Sequence, residues 1–199
     1  MKYILSEIYF CGKLNDERKE LLYFYFLNKL IKGTKKRKLE EKTKKYISKE
    51  DALYKLQKYC AYQERCHQEV RTKLIDLGCY GDDLEEVITS LITENFLNEE
   101  RFAQSYARGK FRFKKWGRVR IRQELKFRKI STYCLKKAME EINDEEYFEV
   151  IKTLLLKKNK VVRETNLFKR NKKLADYVIQ KGYESYLVWK ILKEINLEE

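Results

Sequence analysis

Proline is absent from the 199 residues, and glycine occurs only seven times. A chain so poor in both has little material for turn-dense or irregular folds, while its abundant Leu, Lys, Glu and Arg favour helix. An all-α protein is the expectation. Histidine occurs once, at His67, and the five cysteines (Cys11, Cys60, Cys66, Cys79, Cys134) include no C-x-x-C pair. No zinc site of standard spacing can be assembled from such a set, and an odd number of thiols reads as buried free cysteine in a reducing compartment. Neither a G-x-x-x-x-G-K-[ST] phosphate loop nor a G-x-S-x-G nucleophile turn occurs. Cys66 and His67 are direct neighbours, so on a helix their side chains diverge instead of meeting as a dyad. Asp82, Asp83, Glu85 and Glu86 read as acids at a helix N-terminus, where the macrodipole favours them, more than as metal ligands. No catalysis, metal or cofactor is expected. The apolar run Leu21–Leu27 is too short to span a bilayer and lacks the order of a signal peptide, so no membrane contact and a cytoplasmic location are expected.

What the chain does have is charge, unevenly placed. The net charge is +14. Arg101–Lys129 alone carries twelve Lys or Arg against one acid, Glu124, while Gly81–Glu100 carries seven acids and no base. Two further segments, Thr34–Lys49 and Lys157–Lys173, are also strongly basic. Basic patches of this kind point to an anionic partner. At 43% apolar and 14% aromatic, the chain can nevertheless bury a core.

The chain also repeats itself. Val70, Leu74, Gly78, Cys79, Leu84, Val87, Ile88 and Leu91 recur 51 residues later as Ile121, Leu125, Lys129, Ile130, Leu135, Ala138, Met139 and Ile142. A further shift of 53 gives Leu174, Val178, Gly182, Tyr183, Val188, Ile191, Leu192 and Ile195, with no gap inside any copy. Each copy reads as helix, short turn and helix, and an additional helix precedes each. Those leading helices are expected over Asp51–Gln63 with Ala52, Leu53, Leu56 and Tyr59 inward, over Glu99–Lys115 with Phe102, Tyr106 and Phe113 inward, and over Asp144–Lys158 with Phe148, Ile151, Leu154 and Leu155 inward. The expected organisation is three tandem three-helix units at 48–97, 98–143 and 144–199. Residues 1–47 are expected to form an extension holding a docking helix and a basic linker.

At about 100° per residue, Arg101, Arg108, Arg112 and Lys115 share one stripe of the leading helix of the middle unit. Arg118, Arg122, Lys126 and Lys129 line the next helix beside Ile121 and Leu125. Acids that would relieve repulsion along these faces are nearly missing, so a phosphate-rich or carboxylate-rich partner is expected there. The candidate contact residues are Arg101, Arg108, Arg112, Lys115, Arg118, Arg120, Arg122 and Lys126.

From Phe96 to Ser131, "FLNEERFAQSYARGKFRFKKWGRVRIRQELKFRKIS" resembles the RecX family of bacterial RecA regulators. The matching residues are Leu97, Asn98, Glu100, Arg101, Phe102, Ala103, Gly117, Ile121, Glu124 and Leu125. Upstream, Arg65, Glu69, Val70, Lys73 and Leu74 resemble the corresponding stretch of the first unit. The resemblance implies a curved, elongated array of three three-helix units. It implies a regulator that binds the RecA filament and its single-stranded DNA, with free DNA as a second target, and that inhibits RecA in recombination, repair and the SOS response. A monomer is expected. Cys66 stands where the family usually has Ser, Lys129 where it usually has Gly, and residues 1–47 have no counterpart in the family core. The competing expectation is a sequence-nonspecific nucleic-acid-binding helical protein that acts without RecA.

Overall fold

The computed structural model describes residues 46–198. The docking helix expected around Leu21–Leu27, most of the basic linker and Cys11 lie outside the described residues. Among the described residues there are nine helices and no strand: α1 (Lys49–Tyr62), α2 (His67–Leu77), α3 (Gly81–Thr93), α4 (Glu99–Lys114), α5 (Arg118–Phe127), α6 (Thr132–Glu140), α7 (Asp144–Asn159), α8 (Leu167–Ile179) and α9 (Ser185–Glu198). They pack chiefly in consecutive threes. No helix among the described residues is long and apolar enough to cross a membrane.

Local chemistry sets the helix ends. Ser48, Asn98, Ser131, Asn143 and Asn166 are N-caps whose side-chain oxygens accept from the first-turn N–H groups of α1, α4, α6, α7 and α8. The repeat sets the core. Of the apolar residues at the repeated positions, all but the half-buried Leu135 are buried. The repeated turn position is left-handed in all three copies, with φ of 88° at Gly78, 57° at Lys129 and 92° at Gly182.

The leading helices depart from expectation in detail. In α4 the buried residues are Phe102, Ala103, Ala107 and Phe111, whereas Phe113 is 84% exposed. The inward face drifts along the helix, so the stripe that begins at Phe102 has turned outward by Phe113. In α7 Tyr147 is buried and Phe148 lies partly in solvent. The tyrosine takes the inward place because its hydroxyl has partners there.

Two apolar clusters result. One belongs to the first three helices and includes Ala52, Leu56, Val70, Leu74 and Leu91. The other runs without a break through the remaining six, from Phe102 and Ile121 through Tyr147 and Ile151 to Tyr183 and Val188. Cys66, at the start of α2, is completely buried and belongs to this second cluster, so it ties the first unit to the middle one.

The middle and third units meet backbone to backbone. A Cβ on Gly117 would lie 2.1 Å from the Gly182 oxygen, and one on Gly182 would lie 2.3 Å from the Arg120 Cβ. Only glycine at both places permits this approach. Helix α5 begins at this contact and has no side-chain cap of its own. Its first N–H groups are met from the third unit instead: Gly117 donates to the Lys181 oxygen (2.9 Å), Val119 to the Gly182 oxygen (3.0 Å) and Arg118 to the Tyr147 hydroxyl (3.0 Å). The Tyr147 hydroxyl in turn donates to Glu184 Oε2 at 2.6 Å.

Candidate nucleic-acid interface

The basic residues of the middle unit divide into those that hold the fold and those left facing water. Arg101 belongs to the first group. Its Nε lies 2.5 Å from Glu64 Oε1, and its other nitrogens donate to the Asn95 side chain and to the Asn95 backbone oxygen. It fastens α4 to the loop that ends α1 and to its own approach segment. Arg118 is more enclosed. It donates to the Ile142 oxygen at 2.8 Å and to Asp144 Oδ1 at 2.5 Å, with its guanidinium carbon 4.4 Å from the centre of the Tyr147 ring. A cation in the first turn of α5 opposes the helix dipole, and Asp144 offsets it.

Others are partly engaged. Arg120 lies 4.0 Å over the Trp116 ring, and Lys110 sits about 5 Å from both the Tyr106 and Trp116 rings. Arg108 Nε is 3.5 Å from Glu141 Oε2, a long pair with half of the arginine in solvent. Lys115 ends α4 in a left-handed conformation, and its backbone oxygen accepts from the Tyr183 hydroxyl at 3.2 Å. Arg128 pairs with Glu124 at 2.7 Å and lies over Tyr106.

Arg112, Arg122 and Lys126 are exposed and make no ion pair with any described residue. Lys114 and Lys129 share that condition: Lys129 lies on the stripe that helical spacing gives but is not among the candidate contact residues, and Lys114 is in neither set. Two expectations are corrected. Arg118 does not face solvent as helical geometry predicts, because the third unit closes over the start of α5. The scarcity of acids around Arg101–Lys129 is also made good in part from elsewhere, since Glu64, Glu141 and Asp144 come from outside that segment. What remains positive is a smaller set on α4, α5 and the residues that follow them.

The acidic stretch is likewise partly engaged within the chain. Glu85 makes a two-pronged contact with Arg71 at 2.5 and 2.9 Å, which holds its carboxyl below the ordinary glutamate range. Glu86 pairs with Lys49, and Glu94 accepts from Gln57 at 2.6 Å. Among the described residues no three His, Cys, Asp or Glu side chains gather as a metal would need. Burial pushes the Cys60 thiol up to about 11 and raises Cys66, Cys79 and Cys134 as well, so these are poor nucleophiles at neutral pH.

Residues 98–139, which span α4, α5 and α6, match the family model described as the second three-helix domain of RecX. The regulatory protein RecX of Clostridium acetobutylicum is 29% identical over 156 residues, an alignment covering 75% of this chain and 72% of that protein. RecX of Lactobacillus johnsonii is 32% identical over 123 residues, covering 61% of this chain and 45% of the relative. RecX of Bacillus cytotoxicus, 25% identical, is covered over 52% of its length, so the chain spans about half of several relatives. The crystal structure of RecX from Lactobacillus salivarius shares the fold, with a TM-score of 0.68 at 23% identity over 75% of this chain and 97% of that one. The middle unit thus matches a RecX domain, and most of the chain is similar to regulatory proteins that bear the RecX name.

Proposed function

We propose that this chain is a regulator without a reaction of its own, which binds the RecA nucleoprotein filament and restrains its ATP hydrolysis and strand exchange. The contact is made through the uncompensated cations of α4 and α5. One observation carries the reading: Arg112, Arg122 and Lys126 stay exposed and without an acid partner among the described residues, although neighbouring arginines on the same helices are engaged. A positive face that the fold does not neutralise fits a phosphate backbone. Phosphate contacts position a protein without reading sequence, so base composition of the DNA should matter little.

The experiment replaces Arg108, Arg112, Arg122 and Lys126 together by Ala. The logarithmic salt slope of DNA or filament binding should shallow by about 0.7–0.9 for each phosphate that the variant no longer neutralises, with ATPase inhibition fading in step. A matched alanine set at Lys35, Lys36, Arg37 and Lys38 serves as the control. If the control loses inhibition while the first variant keeps it, the contact lies in the N-terminal extension and this assignment fails. Inhibition of DNA-stimulated ATPase at protein levels too low to coat the DNA separates this reading from a nucleic-acid-binding protein that acts without RecA.

A further inference from the structure

Helix α4 carries an aromatic column of which only the first half is covered. Phe102 is buried, and its ring centre lies 5.7 Å from that of the half-buried Tyr106, over which Arg128 sits. By helical spacing the column continues through Gly109 to Phe113. There it is open. Phe113 is 84% exposed, and a Cβ built on Gly109 would meet nothing within 4 Å.

Neither residue is explained by the fold. Gly109 lies inside a helix, where glycine is less favourable than alanine, yet its conformation is ordinary and no neighbour needs the space. Phe113 leaves a large apolar ring in water. Helical side chains tend to lean toward the N-terminus, which from Phe113 is the side of Gly109, one turn earlier on the same face. The chain neighbours of Phe113, Arg112 and Lys114, are both exposed.

We propose that this open face takes an unpaired base of a single-stranded nucleic acid, the base lying on the Phe113 ring above the Gly109 backbone while Arg112 and Lys114 hold the adjoining phosphates. The inference rests on the phosphate-binding reading above, takes the single strand that the family resemblance already implies, and adds a base contact and the residue that makes it. A duplex keeps its base faces stacked inside and offers phosphates alone. A lipid surface calls for a broad apolar face, whereas Phe113 is a single ring between two exposed cations in the chain. An aromatic ring within a basic surface is the arrangement that binds single strands without sequence preference.

The test uses the full chain and three fluorescent probes: a thymidine oligonucleotide, an abasic phosphodiester strand of equal length, and a duplex. Phe113→Ala should weaken oligonucleotide binding about 5- to 150-fold, the range for one stacked base, and leave the abasic strand and the duplex unchanged. Gly109→Leu, which fills the gap, should show the same selective loss with helical content retained. Gly109→Ala should raise the denaturation midpoint, as expected where glycine has no structural task. Equal losses on the abasic strand, or no loss on any probe, overturn the proposal. So does loss of binding to phosphatidylserine vesicles with oligonucleotide binding intact. The Arg108, Arg112, Arg122 and Lys126 variant separates the two readings. If it binds the abasic strand normally while Phe113→Ala still discriminates, the phosphate assignment fails and stacking stands.

Discussion

Lys129 holds a turn position at φ 57° that its counterparts Gly78 and Gly182 fill with glycine. A left-handed conformation costs an L-residue with a Cβ roughly 1 kcal/mol more than glycine, so Lys129→Gly should stabilise the fold by about that amount, read as a raised urea midpoint. An unchanged midpoint would mean that lysine makes up the difference elsewhere. Tyr147 is the opposite case, a residue whose loss leaves others stranded. Tyr147→Phe takes away the acceptor of the Arg118 N–H and the donor to Glu184, and should cost about 1–3 kcal/mol. Burial first, and then the bond to Glu184, raise the Tyr147 pKa above its usual value of 10.0, and burial raises Tyr183 in the same direction. The folded state therefore keeps protons that the unfolded chain has released. This stabilisation is complete below about pH 10 and declines as pH rises beyond it. In Tyr147→Phe the decline should be shallower, which alkaline titration of the unfolding midpoint would show.

At the scale of elements, α5 depends on residues far along the chain. Gly117→Ala would drive a methyl into the Gly182 carbonyl and should cost at least the ~1–3 kcal/mol of an overpacked contact, whereas Gly109→Ala on the neighbouring helix should stabilise. The repeat makes the helices and their inward residues legible, because apolar spacing is a local property of the sequence. Even the left-handed turn at Lys129 can be placed from its two glycine counterparts. The partners of the cations are not legible. Glu64, Glu141 and Asp144 reach Arg101, Arg108 and Arg118 from outside the basic segment, and helical periodicity says nothing about which neighbouring unit arrives. Phe113 misleads for a related reason. A ring at core spacing reads as core, and only the folded chain shows where the covering ends.

For the described region as a whole, the division into two apolar clusters predicts how it comes apart. Trp116 and Trp189 are the protein's two tryptophans, and both belong to the second cluster's helices or their approach. Tryptophan fluorescence therefore reports the middle and third units alone, while far-ultraviolet circular dichroism reports every helix. In Gly117→Ala the fluorescence transition should move to lower urea, leaving part of the dichroism signal at its original midpoint. A single shift common to both signals would mean that the first cluster does not hold by itself.

The capping of α5 by the third unit also has a consequence for the order in which the protein is made. The Tyr183 hydroxyl bonds the Lys115 carbonyl across 68 residues of chain, and the groups that satisfy the start of α5 lie at Tyr147 and around Gly182. A ribosome that has just released the middle unit has therefore released a basic helix whose opening turn is not yet closed. The nascent chain reaches its finished form there only after Gly182 and Tyr183 emerge. A chain stopped after residue 143 should be cut by protease between α4 and α5, where the 199-residue chain resists.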